Sequence, residues 1–419
     1  MARKLGSLLF TLMLALVGVS AGDARADTVL DGSSEGAFFR IVVPTVWNGS
    51  LVIYNHGFSL APPAPVTDLG PLAPLQLSQG YAVAASSYRM LGWSLFRSQM
   101  DNLAMYGAFK ANFGPAAQIL VNGASLGGLV TAQLLEGANP MNQVGALPFC
   151  GALAGSRSWD GALDLRLVYD NVCKNVPGAA IPGGATGLPA PGFPGYAYTE
   201  TDLGLAVHTC TGILAPAAFR TPDQTARLAK ILTVTTIPES FLLTDMGFAT
   251  FGYSNLAFAP EKLAGVQGVG NARVVYPDPV VNQTIQRVKP VSSAVDKLKL
   301  YYTPNGRTPR NAKVLSLHTD KDGLVVVEQE GKYKSLSDPA KLVTAIAIEA
   351  APSHCGFTQA ELVSGWENLR GWVATGVKPS VLQVQGVCNA LVAGGLASGP
   401  CRFDPSYVIK NLDTRILPR

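Results

Sequence analysis

The stretch Val121-Asn122-Gly123-Ala124-Ser125-Leu126-Gly127-Gly128 decides how this chain is read. Gln118-Ile119-Leu120-Val121 before it is a short apolar strand, and Leu126 to Leu135 after it has helical character, with Leu129, Val130, Ala132 and Leu135 available to pack. Between the two, Gly-x-Ser-x-Gly places a serine on a turn so tight that flanking Cβ atoms would clash, and Gly123 and Gly127 leave the room. The helix that begins there presents unpaired N–H groups toward whatever Ser125 attacks. The five-residue pattern alone is weak, and the chain carries its own control. Gly32-Ser33-Ser34-Glu35-Gly36 also matches, but it follows a polar segment and precedes a strand, so it does not present a nucleophile.

The same rhythm extends outward from this turn. Phe38 to Val43 and Leu51-Val52-Ile53-Tyr54 are strands divided by the turn Trp47-Asn48-Gly49-Ser50. Tyr81 to Ser86 and Val144 to Phe149 are further buried strands, and Met100 to Phe113 is a helix feeding the strand at Gln118. Such alternation predicts a mostly parallel sheet with helices on both faces. The rhythm breaks from about Gly155 to Leu300, through a Pro/Gly-rich stretch (Pro177 to Tyr196) and amphipathic pieces such as Asp223 to Leu232. It returns at Lys313 to Leu317 and Leu342 to Ile348, and a last helix opens with a Thr358/Glu361 capping box, buries Leu362, Trp366, Leu369 and Val373, and stops at Gly376. The expected organisation is a core of residues 27–154 and 301–419, interrupted by an inserted cap of residues 155–300; a separate second domain is the competing reading.

Composition sets the surroundings. Arg3 and Lys4, the apolar run Leu8 to Val19 and the small-residue site Ala24-Arg25-Ala26 make residues 1–26 an expected signal peptide cleaved near Ala26. The run is short for a membrane span, so a secreted or periplasmic protein with no stable membrane anchor is expected. Charged residues are 14% of the 419 and the net charge is +4, which speaks against nucleic acid as a partner. Six cysteines in an exported chain favour disulfides over a metal site, since no Cys-x-x-Cys pair occurs and the four histidines are scattered. Fifteen pairings are possible for six cysteines. Cys388–Cys401 would close a Gly-rich loop and Cys173–Cys210 would lie within the insertion, which leaves Cys150–Cys355.

A serine hydroxyl needs an adjacent base, usually histidine, which is itself oriented by a carboxylate. After a strand–serine–helix turn of this kind the chain order is serine, acid, histidine. His208 sits beside Cys210 in the insertion, and His318 precedes the nearby acids, so the order is wrong for a base. His354, on a short loop after the strand Leu342 to Ile348, is the expected base. The acid belongs on the loop after the preceding strand, where Asp322 is preferred and Asp320 is the alternative; Glu349 is expected at a strand end, facing away. Two backbone N–H groups, of Leu126 and Phe58, are expected to form the oxyanion hole, with His56 fixing the loop that carries Phe58.

With these residues in place the chain resembles the α/β-hydrolase superfamily. It is similar to secreted bacterial esterase and peptidase-like members, through Trp47-Asn48-Gly49 with Asn55-His56-Gly57, and through His354-Cys355-Gly356-Phe357. The resemblance covers Phe38 to Phe149 and Lys313 to Gly376. In tannase and feruloyl-esterase relatives, bridged cysteines adjoin both the serine and the histidine; here Cys355 adjoins His354, but Ala124 precedes Ser125. The expected function is hydrolysis of a small-molecule or oligomeric carboxylic ester through an acyl-enzyme, with no cofactor. The alternative is an aminopeptidase or oligopeptidase on the same triad, and a third is a non-catalytic binding protein on the same fold. Halide or epoxide chemistry would place an aspartate where Ser125 stands.

Overall fold

The computed structural model describes residues 27–136, 141–188, 197–301, 303–307 and 312–419. The expected signal peptide, residues 1–26, lies outside them, as do residues 189–196 of the Pro/Gly-rich stretch. Among the described residues one eight-stranded sheet forms: β1 (Thr28–Ser34), β2 (Ala37–Val43), β3 (Ser50–Asn55), β4 (Ala82–Ser86), β5 (Gln118–Ala124), β6 (Gln143–Phe149), β7 (Lys313–Thr319) and β8 (Leu342–Ala347). Their order is β1-β2-β4-β3-β5-β6-β7-β8. β2 runs antiparallel to both its neighbours, and β3 to β8 run parallel.

Strands covered on both faces lose the polar/apolar alternation of a half-solvated sheet, which is why β3 and β5 read as unbroken apolar runs. Leu51, Ile53, Ile119 and Val121 join one hydrophobic cluster, and Val52, Tyr54, Leu120 and Leu147 the other. The first cluster takes in Met105 and Phe109 from the helix Ser98–Phe113 and Leu129 and Val130 from the helix Leu126–Glu136. The second is closed by the helix Gln359–Thr375, which has the expected Thr358/Glu361 capping box and ends at Gly376 in the left-handed region. That helix seats Trp366, Leu369 and Trp372, while Leu362 and Val373 stay half-buried. Trp372 takes the third place in the stripe because it lies three residues after Leu369, in line with Trp366.

β1 is absent from the sequence reading. It is a mostly exposed edge strand joined to β2 by Glu35 and Gly36, both with positive φ, as a two-residue hairpin loop requires. The second Gly-x-Ser-x-Gly is therefore a hairpin. Between β6 and β7 every regular element of the described chain is a helix, including Ser158–Cys173, Glu200–Thr211 and Pro222–Thr235. Leu163, Val207, Ile231 and Leu256 from this region pack in the same cluster as Ile53 and Val121, so the inserted helices share the core of the sheet. All six cysteines are paired, as Cys150–Cys355, Cys173–Cys210 and Cys388–Cys401. Among the described residues no helix is long and apolar enough to cross a membrane.

The helix after Ser125 lies almost against β3. A Cβ on Gly127 would stand 1.9 Å from the carbonyl oxygen of Asn55, and one on Gly123 would stand 2.4 Å from the Gly127 oxygen. Both obstacles are backbone, so neither can swing aside. Gly127→Ala is therefore expected to destabilise the protein by about 3 kcal/mol or to prevent folding. Urea unfolding followed by circular dichroism checks this, and an unchanged midpoint would contradict the close approach.

Candidate active site

Ser125 follows β5 with φ of 57°, a left-handed conformation that costs a non-glycine residue about 1–2 kcal/mol. The surrounding backbone holds it there: Ser125 N–H donates to Phe149 O at 3.1 Å, and its carbonyl accepts from Gly128 at 3.0 Å and Ala152 at 3.3 Å. The turn lifts the hydroxyl clear of the sheet. The loop His56-Gly57-Phe58 passes alongside, so that a Cβ on Gly57 would lie 3.4 Å from that of Ser125. His56 fixes this loop through its Nδ1 contact with Gly57 O at 2.8 Å and by stacking on Tyr88 at 4.3 Å. The N–H groups of Leu126 and Phe58 donate to no acceptor within the described residues, and the first N–H groups of a helix have no intrahelical partner.

His354 brings Nε2 to 2.9 Å from Ser125 Oγ. Its Nδ1 lies 2.8 Å and 3.0 Å from the two carboxylate oxygens of Asp322. Asp322 is buried, and its charge is met by backbone donors: Leu324 and Val325 N–H on Oδ1 at 3.0 and 2.9 Å, and Cys355 N–H on Oδ2 at 3.3 Å. A carboxylate held by several N–H groups is immobile and keeps its partner imidazole in one orientation. Asp320 is occupied elsewhere, accepting Glu349 N–H at 2.7 Å. Glu349 receives the Ser353 hydroxyl at the foot of the histidine loop. His208 caps its own helix turn, accepting Leu214 N–H at 3.2 Å.

Three further devices support this assembly. The Cys150–Cys355 disulfide ties the histidine loop to the end of β6, with the Cys355 sulfur 3.6 Å from His354 Nε2. Arg402 donates to Gly356 O at 2.6 Å and pairs with the fully buried Glu361 at 2.7 Å, which raises the guanidinium above its ordinary value. His318 is wholly buried beneath the acid loop, where its Nε2 donates to Val325 O at 2.7 Å and its Nδ1 lies 3.3 Å from Glu330 Oε1. Burial opposes a charge on His318, but Glu330, with Asp322 nearby, outweighs it and the net shift is upward. Sulfur atoms of Cys150 and Cys355 cluster with His354, but both are consumed in the disulfide and offer no thiolate to a metal.

A cavity of about 380 Å³ opens beside Ser125 and His354. Its walls are largely apolar, with Phe58, Trp93, Leu165, Ile237, Phe248 and Ile416 among them. Asp245 and Arg415 also line it, and neither was singled out from the sequence. A single acid inside the apolar run Leu242-Leu243-Thr244-Asp245-Met246 was the available signal for the first. Nothing in the local pattern around Arg415 marks it. Asn55 was likewise quoted only as part of a motif. Buried at the end of β3, it donates to Asn122 O and lies within hydrogen-bond distance of Thr131, Tyr88 and Asn102.

No family model matches the chain, and no curated protein matches it. Solved structures do. The chain is similar to feruloyl esterase B from Aspergillus oryzae at 12% identity, over 84% of this chain and 82% of that one, with a TM-score of 0.44. It is similar to Candida antarctica lipase A in its closed state at 12% identity, over 87% and 86%, with a TM-score of 0.43. For the acylaminoacyl peptidase of Pyrococcus horikoshii the identity is 12%, over 78% of this chain and 37% of that one, with a TM-score of 0.37. The order of the parallel strands, the left-handed Ser125 between β5 and its helix, and loops after β7 and β8 that bring Asp322 and His354 to it identify the chain as a protein of the α/β-hydrolase fold.

Proposed function

We propose that this protein is a secreted serine hydrolase that cleaves carboxylic esters through an acyl-enzyme. The observation that carries the reading is the hydrogen-bonded line from Asp322 through His354 to Ser125, with 2.8 Å and 2.9 Å between its members. Ser125 Oγ attacks the ester carbonyl while His354 Nε2 takes its proton. The imidazolium so formed stays between Asp322 and the reacting atoms, and Asp322 holds the tautomer that leaves Nε2 free to accept. The negative charge on the former carbonyl oxygen is met by the N–H groups of Phe58 and Leu126. His354 then returns the proton to the departing alcohol. Water attacks the acyl-enzyme by the same route in reverse. The largely apolar cavity favours uncharged acyl or alcohol groups.

Residues 155–300 act in this reading as a cap, since they supply Leu165, Ile237 and Phe248 to the cavity wall. Three disulfides suit an oxidising compartment, which agrees with removal of residues 1–26 on export.

The mature protein is expected to hydrolyse p-nitrophenyl acyl esters and to react with a fluorophosphonate probe. Ser125→Ala should lower turnover by about 10⁴-fold or more and abolish labelling. Faster cleavage of aminoacyl p-nitroanilides than of the esters would replace the esterase with a peptidase. Silence toward both substrates and probe would remove the enzyme reading.

The two acids separate cleanly in the same assay. Asp322→Asn should lower kcat by about 10³–10⁴-fold, because the amide stabilises the wrong imidazole tautomer. Asp320→Asn keeps an oxygen for Glu349 N–H and should stay within about tenfold of the parent enzyme. The reverse ranking would move the triad acid to Asp320.

A further inference from the structure

The wall of the cavity formed by Asp245 and Arg415 has no part in the proposed chemistry. Asp245 stands on the helix Leu242–Gly247, which runs directly into the π-helical turn Phe248–Gly252, and Asp245 and Phe248 both line the cavity. π-turns that interrupt helices frequently lie at functional sites. The Asp245 side chain belongs to a residue only 8% exposed, makes no hydrogen bond or ion pair among the described residues, and has its Oδ1 fully enclosed. A buried carboxyl without a partner is unfavourable for the fold and calls for an explanation. Arg415 reaches the same cavity from the C-terminal segment, with one guanidinium nitrogen bonded to the carbonyl oxygens of Thr235 and Thr236.

Resting on the ester-hydrolase reading above, we propose that this wall binds a hydroxyl group on the substrate, so that the preferred ester carries a hydroxyl separated from the scissile carbonyl by hydrocarbon. Charge decides among the candidate groups. A substrate ammonium would enter beside the Arg415 guanidinium. A substrate carboxylate would enter beside Asp245, with Asp322 near enough to be felt. A hydroxyl has a donor and an acceptor and no charge, so it suits the carboxyl in either protonation state and Arg415 as well. Burial pushes Asp245 well above the ordinary carboxylate range, against the pull of Arg415, and a protonated carboxyl both donates and accepts. The rest of the cavity that Ser125 shares with this wall is largely apolar and suits the hydrocarbon spacer. Such a carboxyl serves the substrate at the expense of the fold. The sign follows from the upward shift: its destabilising effect is absent below the unfolded-state pKa, near 3.8, and grows as pH rises above it.

The test uses two series of uncharged esters. One is methyl esters of four- to eight-carbon acids with and without a terminal hydroxyl, and the other is acetates of the matching alcohols and diols. Terminal ammonium and carboxylate versions complete each series, and rates are expressed per site titrated by a fluorophosphonate. At one chain length the hydroxyl ester should exceed its parent in kcat/KM by about tenfold or more; the series in which this occurs assigns the hydroxyl to the acyl or the alcohol side. Asp245→Leu should drop the ratio below one, because an unpaired hydroxyl is then rejected, whereas Asp245→Asn should keep a preference. Asp245→Leu should also melt higher than the parent at pH 7, with the gap closing below about pH 4. A hydroxyl ester no better than its parent at every length overturns the proposal. So does a preference for ammonium or carboxylate, a preference that survives in Asp245→Leu, or a lower melting temperature in that variant. Plain-ester turnover without hydroxyl preference overturns this proposal alone; absence of all turnover and labelling overturns the triad reading with it.

Discussion

A backbone-to-backbone approach governs this structure: the first turn of the helix after Ser125 rests on the carbonyl oxygen of Asn55, at a distance that leaves no space for a methyl group at residue 127. Because the helix sits so close, the strand-to-helix turn is sharp and Ser125 is driven into the left-handed region. That conformation places the Ser125 hydroxyl within hydrogen-bond distance of His354. Asn55 is also the end of β3, so the loop that brings Gly57 and Phe58 beside Ser125 starts from the residue against which the helix is pressed. Its buried side chain, bonded to Asn122 and surrounded by Thr131, Tyr88 and Asn102, keeps that contact from opening.

The partners of Ser125 are immobilised from a different direction. Asp322 is fixed by backbone N–H groups on its own loop and by one from the histidine loop, so the two loops cannot separate without stranding a buried charge. Beneath the acid loop His318 anchors Val325; beside the histidine loop Arg402 anchors Gly356, and the Cys150–Cys355 bridge joins that loop to the strand end next to the serine turn. These contacts hold Asp322 and His354 in place beside Ser125 from several directions.

Several of these features were legible in the chain before any fold was built. Glycines at 123 and 127 around a serine, between a strand and a helix, carry their own steric meaning. The capping box at Thr358 and Glu361 and the stop at Gly376 are local signals, and the helix between them obeys them. The six cysteines pair as a Gly-rich loop closure, a bridge within the insertion and the remainder, which is how they were expected to divide. The edge strand β1 escaped notice because a half-exposed, polar strand has neither apolar run nor clear alternation, and is stabilised by its hairpin partner. Trp372 rather than Val373 entered the core because helix rotation is decided by the packed face, to which several spacings fit equally well.

The order of serine, acid and histidine, the tight serine turn and the alternation of strands and helices were determined by the sequence alone, since each depends on neighbours within a few residues or on order along the chain. Which of Asp320 and Asp322 lies against His354 is visible only in space, because two acids two residues apart look alike until one faces an imidazole and the other a backbone N–H. The cavity is also a property of the tertiary structure. Asp245 comes from an inserted helix and Arg415 from the C-terminal segment, 170 residues apart by their numbers. No local pattern relates them, and only the tertiary packing brings them to the cavity that Ser125 also lines.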